Sequence, residues 1–397
     1  MNQPAPWGRL QGVRPSKLLQ RFLDAGLSPV EAALRMQREY GIAPDKAELL
    51  CQASVFTREL LAGLDRKAAS IYIGIPFCPT RCLYCSFPSH SLRELGRERG
   101  RFVQALAKEI AALGSYLRQH QRPVDSVYVG GGTPTALAPT DLDSVLTALE
   151  RELPTGWKEF TVEAGRPETL TDEHLAVLVG HQVQRISINP QTSNDRTLQV
   201  IGRQHRAAEV EAAYRKSRAL FPVINMDLIL GLPGEGLVDV QNSLRWVLDL
   251  RPENITLHMF SPKRASRFTS EHSDWAGQLP GWAEAQSMTE WCYQQLTATG
   301  YRPYYLYRQR NILGGQENVG WALPGMECRY NVIMIEERQD LLGLGGGATS
   351  KFMHADGSLE NLSNQKDVLT YIERLDQLIE RKLGLLSQPN LLWRELT

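Results

Sequence analysis

The chain has 397 residues, 42% of them apolar, and Lys+Arg 44 set against Asp+Glu 44. That length allows two or three domains with a sizeable core, and the even charge balance gives no bulk basic field for nucleic acid or anionic lipid. No apolar run reaches the roughly 18 residues that a membrane span needs, and Met1 to Arg9 lacks the apolar stretch of a secretory signal.

Residues 14–66 read as a helical block. Pro15-Ser16-Lys17 opens a first helix that Gly26 stops, and Ser28-Pro29-Val30-Glu31 is a start signal with Ser28 as cap and Glu31 at the third helical position. A further helix runs from Pro44 or Asp45 to about Gly63. Trp7 to Pro15, ahead of the block, has no period and reads as an ordered arm or a surface tail.

From residue 70 short apolar strands alternate with amphipathic helices. The strands are Ser70–Ile75, Ser126–Val129, Phe160–Glu163, Val183–Ile188, Ile224–Leu230 and Ile255–Phe260. Helical periods lie near 97–118, 140–152, 171–180, 206–219 and 237–249. Repeated β and α units predict a parallel sheet with helices outside it, curled by right-handed crossovers. Six units fall short of the eight of a closed barrel. A helix at about 283–299 follows, then strands at Tyr304–Tyr307 and Asp340–Leu344, a Gly345-Gly346-Gly347 turn and a closing helix over Asn364–Lys382. The expectation is therefore an α/β fold, a partial (β/α)6 TIM-type barrel over 67–264. An N-terminal arm and helical segment (1–66) precedes it and an α+β cap (265–397) follows.

Such barrels hold their chemistry at the carboxyl ends of the strands, and unusual residues recur there. Strand one ends in Ile75-Pro76-Phe77-Cys78-Pro79-Thr80-Arg81-Cys82-Leu83-Tyr84-Cys85 and strand two in Gly130-Gly131-Gly132-Thr133-Pro134-Thr135. Strand three ends in Glu163, and strand four runs into Asn189-Pro190-Gln191. Asp227 and Gly231-Leu232-Pro233-Gly234 belong to strand five, and His258-Met259-Phe260-Ser261 to strand six. The glycine run lacks the Lys-Ser/Thr of a phosphate-binding loop. Its carbonyls can accept from an ammonium group, and a plain turn is the other reading. Glu163 on an apolar strand needs a partner, either a ligand's diol or ammonium group or a salt bridge with Arg185 or Arg166. Gln191, Arg203 and Asp227 raise the same question, whereas His205 reads as a surface or cap histidine.

Cys78, Cys82 and Cys85 can place three thiolates around one iron–sulfur cube. Four protein ligands would serve electron transfer alone, and three leave one iron open for a cosubstrate. A zinc knuckle completed by Cys51 or His90 is the alternative, although no second Cys/His pair is visible. The remaining cysteines (Cys51, Cys292, Cys328) are scattered singles, which fits a reducing cytoplasm better than a disulfide framework.

The cysteine spacing resembles the signature of the radical S-adenosylmethionine (SAM) superfamily. Almost the whole chain is similar to the oxygen-independent coproporphyrinogen III dehydrogenase group, and within it to the HemZ-type branch. Trp7-Gly8-Arg9-Leu10…Gly12-Val13-Arg14-Pro15 carries that likeness before the barrel. Glu317-Asn318-Val319-Gly320…Pro324-Gly325…Cys328…Tyr330-Asn331 and Gly343-Leu344-Gly345-Gly346-Gly347-Ala348-Thr349-Ser350 carry it afterwards. The resemblance implies a 4Fe-4S cluster on Cys78, Cys82 and Cys85, with Tyr72, Gly131, Glu163, Ser261 and Thr349 holding cluster-bound SAM. Tyr84, Gly132, Thr133, Gln191, Arg203 and Asp227 would line a second SAM position or the substrate pocket. It further implies oxidative decarboxylation of propionate side chains to vinyl groups in heme biosynthesis through a 5′-deoxyadenosyl radical. The implied partners are a tetrapyrrole substrate and a low-potential electron donor of flavodoxin or ferredoxin type, in the cytoplasm. Arg308, Arg310, Arg329, Lys351 and Lys263 are candidate rim cations for a multiply carboxylated substrate, with solvated surface groups as the other reading of each. One departure stands out. The dehydrogenase branch carries a further cysteine two residues after the last cluster ligand, whereas this chain has Phe87, as the related heme-chaperone branch also lacks that cysteine. Heme delivery, and a radical SAM methyltransferase or cyclopropane-forming activity, therefore stay open beside the dehydrogenase reading.

Overall fold

The computed structural model describes residues 5–10, 12–263, 266–268 and 277–396. The N-terminal block forms three helices, α1 (Pro15–Asp24), α2 (Pro29–Tyr40) and α3 (Pro44–Ala62), each opening on a proline whose missing N–H costs nothing there. Ser28 caps α2 as expected, and the Glu31 carboxylate accepts from the Ser28 N–H at 2.9 Å in return. The arm before α1 is ordered. Trp7 is fully buried and its indole donates to Glu317 at 2.8 Å. Gly8 sits at φ +52, where a Cβ would lie 2.1 Å from the Tyr40 carbonyl oxygen, so only glycine allows the arm to cross here.

Six parallel strands follow in sequential order: β1 (Ala69–Ile75), β2 (Val124–Gly131), β3 (Glu159–Glu163), β4 (Arg185–Ser187), β5 (Val223–Leu230) and β6 (Asn254–Met259). The helices that return the chain are α4 (Arg99–Gln119), α5 (Pro139–Glu152), α6 (Asp172–Gly180), a short α7 (Asp195–Val200), α8 (Ala207–Arg218) and α9 (Leu237–Leu250). α10 (Trp282–Ala298) leads to β7 (Arg302–Tyr307) and β8 (Asn318–Ala322), then α11 (Arg329–Glu336), β9 (Asp340–Gly345), β10 (Thr349–Met353) and β11 (Leu359–Ser363). Among the described residues these eleven strands form one open sheet in the order β11-β10-β9-β1-β2-β3-β4-β5-β6-β8-β7. β9, expected within the cap, lies parallel beside β1 and so continues the barrel wall. The closing helix differs from expectation: Asp367 caps α12 (Val368–Glu373), and α13 (Leu375–Leu386) begins after Arg374. Among the described residues no helix is long and apolar enough to cross a membrane.

The strands explain the interior. Parallel sheets covered by helices on both faces are apolar on both faces. Here the residues alternate instead. Ile71, Ile73, Val127, Val129, Val162, Ile186, Ile224, Met226 and Ile255 are fully buried in the core shared with the helices. The intervening positions are Tyr72, Tyr128, Glu163, Ser187, Asn225, Asp227, Thr256 and His258, which a period of two places on the opposite face, toward the lumen. They bond to one another across strands: Tyr128 to Glu163 at 2.7 Å, Asn225 to Ser187 at 3.3 Å and Thr256 to Asn225 at 3.1 Å. An apolar outer face fixes the barrel, and the inner face leaves it a polar lumen.

The amino ends of the strands are closed by residues 326–331. Glu159 at the start of β3 accepts the first N–H groups of α11, from Arg329 at 2.9 Å and Tyr330 at 3.0 Å, a favourable charge at a helix N-terminus. Arg185 donates to the carbonyls of Met326 and Glu327 at 3.0 and 2.9 Å, and Arg329 grips Asp125 through two bonds of 2.5 and 2.8 Å. Tyr330 thereby enters the lumen and stacks on Tyr128 at 4.5 Å and on Tyr72 at 6.1 Å.

Candidate active site at the strand ends

The opposite ends of the strands hold the cysteine loop. Phe77–Cys78 pairs in parallel with His90–Ser91, which pins both ends of the loop. The glycine run of β2 docks on it through Gly132 N–H to the Ile75 carbonyl (2.8 Å) and Thr133 N–H to the Phe77 carbonyl (2.7 Å). Leu83 N–H bonds the Ile201 carbonyl at 3.0 Å, so the end of α7 supports the far side. A Cβ on Gly132 would lie 2.5 Å from the Phe77 oxygen and 3.0 Å from Cys78 Sγ, and one on Gly130 would meet the Glu163 carboxyl at 2.9 Å. The glycines are therefore demanded by close approach of the chain's own segments, where the sequence suggested approach to a ligand, and Gly131 also takes φ +107.

All three cysteines are free thiols; Cys78 and Cys82 are buried and Cys85 is half-buried. Their sulfurs are met by donors: Thr133 Oγ1 at 3.6 Å from Cys78, Arg166 Nη2 at 3.0 Å from Cys82, and the Phe87 backbone N–H toward Cys85. Burial pushes the Cys78 thiol up, and burial followed by the neighbouring Cys82 pushes Cys85 up to about 12. N–H···S and O–H···S bonds are the outer contacts that an iron–sulfur cluster uses. The donor set fits such a cluster. Cys51, a possible fourth ligand of a zinc knuckle, is on α3 and donates to the Pro29 carbonyl at 3.0 Å, while His90 Nε2 faces the Lys366 carbonyl at 3.3 Å. Among the described residues no three His, Cys, Asp or Glu side chains surround a single-ion position.

Sequence reasoning missed the support behind this loop. Arg166 had stood only as a partner for Glu163. Instead it reaches Cys82, donates to the Thr80 carbonyl at 2.9 Å and pairs with Glu168 at 3.2 Å. His205 is not a surface group: it is 3% exposed and its Nδ1 lies 3.1 Å from Glu168. Burial opposes ionisation of Glu168, but His205 and Arg166 together hold its carboxyl down to about 2. The signal available in the chain was position, since Glu163-Ala164-Gly165-Arg166-Pro167-Glu168 leaves the end of β3.

Glu163 has neither Arg185 nor Arg166 as partner. Tyr128 is its hydrogen-bond donor, and burial, aided by Asp227, raises its carboxyl to about 7. Asp227 behaves oppositely. Burial opposes ionisation, yet His258, Asn225 and Thr256 lower its carboxyl below the usual range. Neighbouring carboxyl groups whose surroundings push them apart in this way recur at functional sites. His258 stands between Asp227 (3.6 Å) and the Tyr307 hydroxyl (3.5 Å).

The structure draws most of the predicted set together around the lumen mouth. Gln191, at φ +71, bridges β5 by donating to the Asp227 carbonyl and accepting from Ile229, both at 2.9 Å. Arg203 donates to the Asn189 carbonyl at 2.5 Å and lies 3.5 Å from the Tyr84 hydroxyl. Among the described residues, Nε of Arg203, Nε of Arg81 and Oδ1 of Asn189 are buried with no partner, so polar capacity at the mouth stays unspent. Ser261 donates to the Arg310 carbonyl at 2.8 Å, and Thr349 shares a 2.8 Å bond with Ser363 at the sheet's outer strands. Of the rim cations, Arg329 and Lys351 lie at the other end of the strands, paired with Asp125 and Glu337. Arg308 is spent on the Leu10 carbonyl and the Trp7 ring. Lys263 and Arg310 follow β6 and β7 at the mouth. A surface cleft of about 440 Å³ beside Arg218, Arg251 and Glu253 lies elsewhere, and its Arg218–Glu253 pair at 2.7 Å is internal.

Comparison with known proteins places this geometry. Residues 72–247 match the model of the radical SAM superfamily, so the cysteine loop and strands β2 to β5 fall within one matched segment. The chain is 41% identical over 390 residues to the oxygen-independent coproporphyrinogen-III oxidase-like protein HemZ of Bacillus subtilis, covering 96% of this chain and 77% of that one. The heme chaperone HemW of Lactococcus lactis is 30% identical over 286 residues, covering 72% and 70%. The structure of coproporphyrinogen III oxidase (HemN) from Escherichia coli superposes with a TM-score of 0.64 at 21% identity over 82% of this chain and 72% of that one, a likeness of fold. The class is thus a radical SAM protein built on a partial barrel. Within it, this chain belongs to the HemZ-like family of oxygen-independent coproporphyrinogen-III oxidase-like proteins.

Proposed function

We propose that the protein is a radical SAM enzyme that oxidatively decarboxylates propionate side chains of a coproporphyrinogen-type tetrapyrrole to vinyl groups. The observation that carries this reading is the convergence of a three-thiol loop, a glycine-walled strand end and the Glu163–Tyr128 pair on one polar lumen. Cys78, Cys82 and Cys85 would hold a 4Fe-4S cluster, which when bound would supply the one-electron chemistry of SAM cleavage.

The chain's own residues do the rest. Carbonyls of Gly130–Thr133 and the Glu163 carboxylate receive the ammonium group of SAM or its ribose diol, with Tyr72, Ser261 and Thr349 completing that position. Tyr84, Gln191, Arg203 and Asp227 line a second SAM position or hold the substrate. The tyrosine stack of Tyr72, Tyr128 and Tyr330 gives the lumen an aromatic wall and excludes water from the reacting carbon. Lys263 and Arg310 at the mouth suit carboxylates that remain outside.

Glu163 gives this reading a pH signature. Its carboxyl titrates at about 7, so an ammonium ligand meets an anion above that pH and a neutral acid below it. SAM affinity is expected to fall about tenfold from pH 8 to pH 6, the ratio of ionised fractions for such a group, and to lose that slope in Glu163→Gln. Stability moves the other way. A raised carboxyl stabilises the fold fully below about pH 4.5 and loses that contribution as pH rises through about 7. Glu163→Gln should therefore melt higher than the parent at pH 8 and level with it at pH 4.5, as calorimetry would read.

The decisive assay is anaerobic incubation of reconstituted protein with coproporphyrinogen III, SAM and reductant. Vinyl products with matching carbon dioxide are expected. SAM cleavage without them would end the dehydrogenase reading, and methylated products would point to a transferase. The second reading, heme delivery, has its own support in the HemW relatives and in Phe87 standing where the dehydrogenase branch has cysteine. Stoichiometric heme binding without turnover would select it.

A further inference from the structure

β3 ends at Glu163, and the chain leaves it as Ala164-Gly165-Arg166-Pro167-Glu168. Pro167 keeps the residue before it extended, and Arg166 stands at φ −130 and ψ 109 ahead of a single 3-10 turn, Pro167–Thr169. Thr169 locks that turn. Its hydroxyl donates to the Arg166 carbonyl at 2.8 Å and meets the Thr135 hydroxyl, at the end of the glycine run, at 2.7 Å. The backbone of Arg166 is thus fixed both from β3 and from the loop after β2.

The guanidinium is buried, with 3% of the residue exposed. Its planar fork meets three acceptors. Nη2 lies 3.0 Å from the Cys82 sulfur and 2.9 Å from the Thr80 carbonyl, and Nη1 lies 3.2 Å from Glu168 Oε1. Pinning a loop by its carbonyl needs only a neutral donor. A full cation taken out of water to reach a sulfur is costly unless an anion offsets it. Glu168 is that anion: Arg166 and His205 hold its carboxyl down to about 2, and His205 Nδ1 meets its second oxygen at 3.1 Å. Arg166 therefore touches the sulfur directly, whereas Glu168 acts on the loop from behind Arg166.

Adding an electron to an iron–sulfur cluster adds one negative charge, and hydrogen bonds to the sulfurs together with the net charge around them set how readily that happens. We infer that Arg166 is a positioning residue that sets the reduction potential of the cluster, easing uptake of one electron through its bond to Cys82, and that Glu168 tempers this effect. The inference rests on the cluster reading of Cys78, Cys82 and Cys85. In the step concerned a one-electron donor is oxidised by one electron, the cluster is reduced by one, and no bond forms or breaks. Coulombic interaction falls with distance, so the nearer cation prevails over the anion behind it. The two charges act with opposite sign. Loss of the cation makes reduction harder, and loss of the anion makes it easier.

The test titrates anaerobically reconstituted full-length protein with dithionite and redox mediators, without SAM, and reads the reduced cluster by electron paramagnetic resonance. Arg166→Gln is expected to lower the reduction equilibrium constant at least tenfold, about 59 mV for a one-electron couple. Arg166→Lys, which keeps the charge, should recover at least half of that shift. Glu168→Gln should move the potential in the positive direction. Iron content, measured beside each titration, separates this from a purely structural role, which would lower cluster occupancy without moving the potential of the clusters that remain. Parent-like potentials in Arg166→Gln and Glu168→Gln, or shifts of the same sign in both, would overturn the inference while leaving the cluster reading intact. Should Arg166→Gln retain no iron, Glu168→Gln decides alone: a positive shift supports the inference, and a parent-like or negative one overturns it. A parent without a four-iron signal would instead remove the cluster reading, and this inference with it.

Discussion

Gly132→Ala is expected to leave less than about a tenth of the parent's iron content and SAM-cleaving activity while the barrel still folds. The reason is geometric. The new methyl would stand 2.5 Å from the Phe77 carbonyl oxygen and 3.0 Å from the Cys78 sulfur. Neither can yield cheaply. The oxygen accepts the Thr133 N–H at 2.7 Å, and the sulfur belongs to a loop held on both flanks by Phe77–Cys78 pairing with His90–Ser91. Interiors this close-packed answer such an intrusion by displacing a segment, and the segment nearest is the cysteine loop. The apolar outer face of β1 and β2 is untouched, so far-UV circular dichroism should match the parent. Gly100→Ala is the control: nothing lies within 4 Å of its Cβ position, and in helix α4 alanine should stabilise by up to about 1 kcal/mol. Parent-like iron content in Gly132→Ala would show that the glycine wall does not shape the thiol loop.

Lys382→Met should lower stability by about 3–5 kcal/mol, a fall in melting midpoint on the order of 10 °C. Lys382 and Glu109 are both about 2% exposed or less, joined at 2.6 Å. Around Glu109 gather the N–H of Gly345 (2.8 Å), the Asn364 amide (3.0 Å) and the Tyr371 hydroxyl (2.7 Å), and Lys382 also donates to the Gly343 carbonyl. Removing the cation leaves a carboxylate inside α4 with neutral donors only. The double variant Glu109→Gln/Lys382→Met should recover at least half of the loss, since the stranded charge and not the missing bond dominates the cost. The network matters to the site as well. It seats the Gly345–Gly347 turn, whose Cβ positions would run into Gly74, Pro76 and Pro88 on the flanks of the cysteine loop. SAM affinity in Lys382→Met should therefore weaken at temperatures where the fold is still intact.

Much of the barrel was legible because its local signals agree with its tertiary role. All six strands fall where short apolar runs are bounded by glycine or proline, and α2 starts where Ser28 and Glu31 cap it reciprocally. The elements that were missed depend on distant partners. α11 has no local side-chain cap; Glu159, about 170 residues earlier in the chain, receives its first amides. β8, Asn318–Ala322, holds a glycine that lies against the Tyr305 ring and gives no period. The closing helix was read as one because Asn364–Lys382 keeps its apolar spacing, yet Asn364 is recruited by Glu109 and Asp367 becomes the cap. The same division holds in the site. The cysteines, the glycine run and Glu163 announce themselves at strand ends, whereas the Arg166–Cys82 contact and the burial of His205 against Glu168 are products of folding. The strand alternation itself, polar at Tyr128, Glu163, Asn225 and Asp227 between apolar neighbours, carries the polar lumen, yet the sequence drew attention only to Glu163 and Asp227 within it.

The central claim is that Cys78, Cys82 and Cys85 hold a cluster with one iron lacking a protein ligand, and that SAM binds at that iron. Electron paramagnetic resonance of the anaerobically reconstituted, dithionite-reduced protein, recorded with and without SAM labelled at the methionine amino nitrogen, tests it most directly. The account predicts a four-iron signal whose shape changes on adding SAM, with hyperfine coupling to the labelled nitrogen. A signal indifferent to SAM, or coupling to a histidine nitrogen in its place, would contradict it.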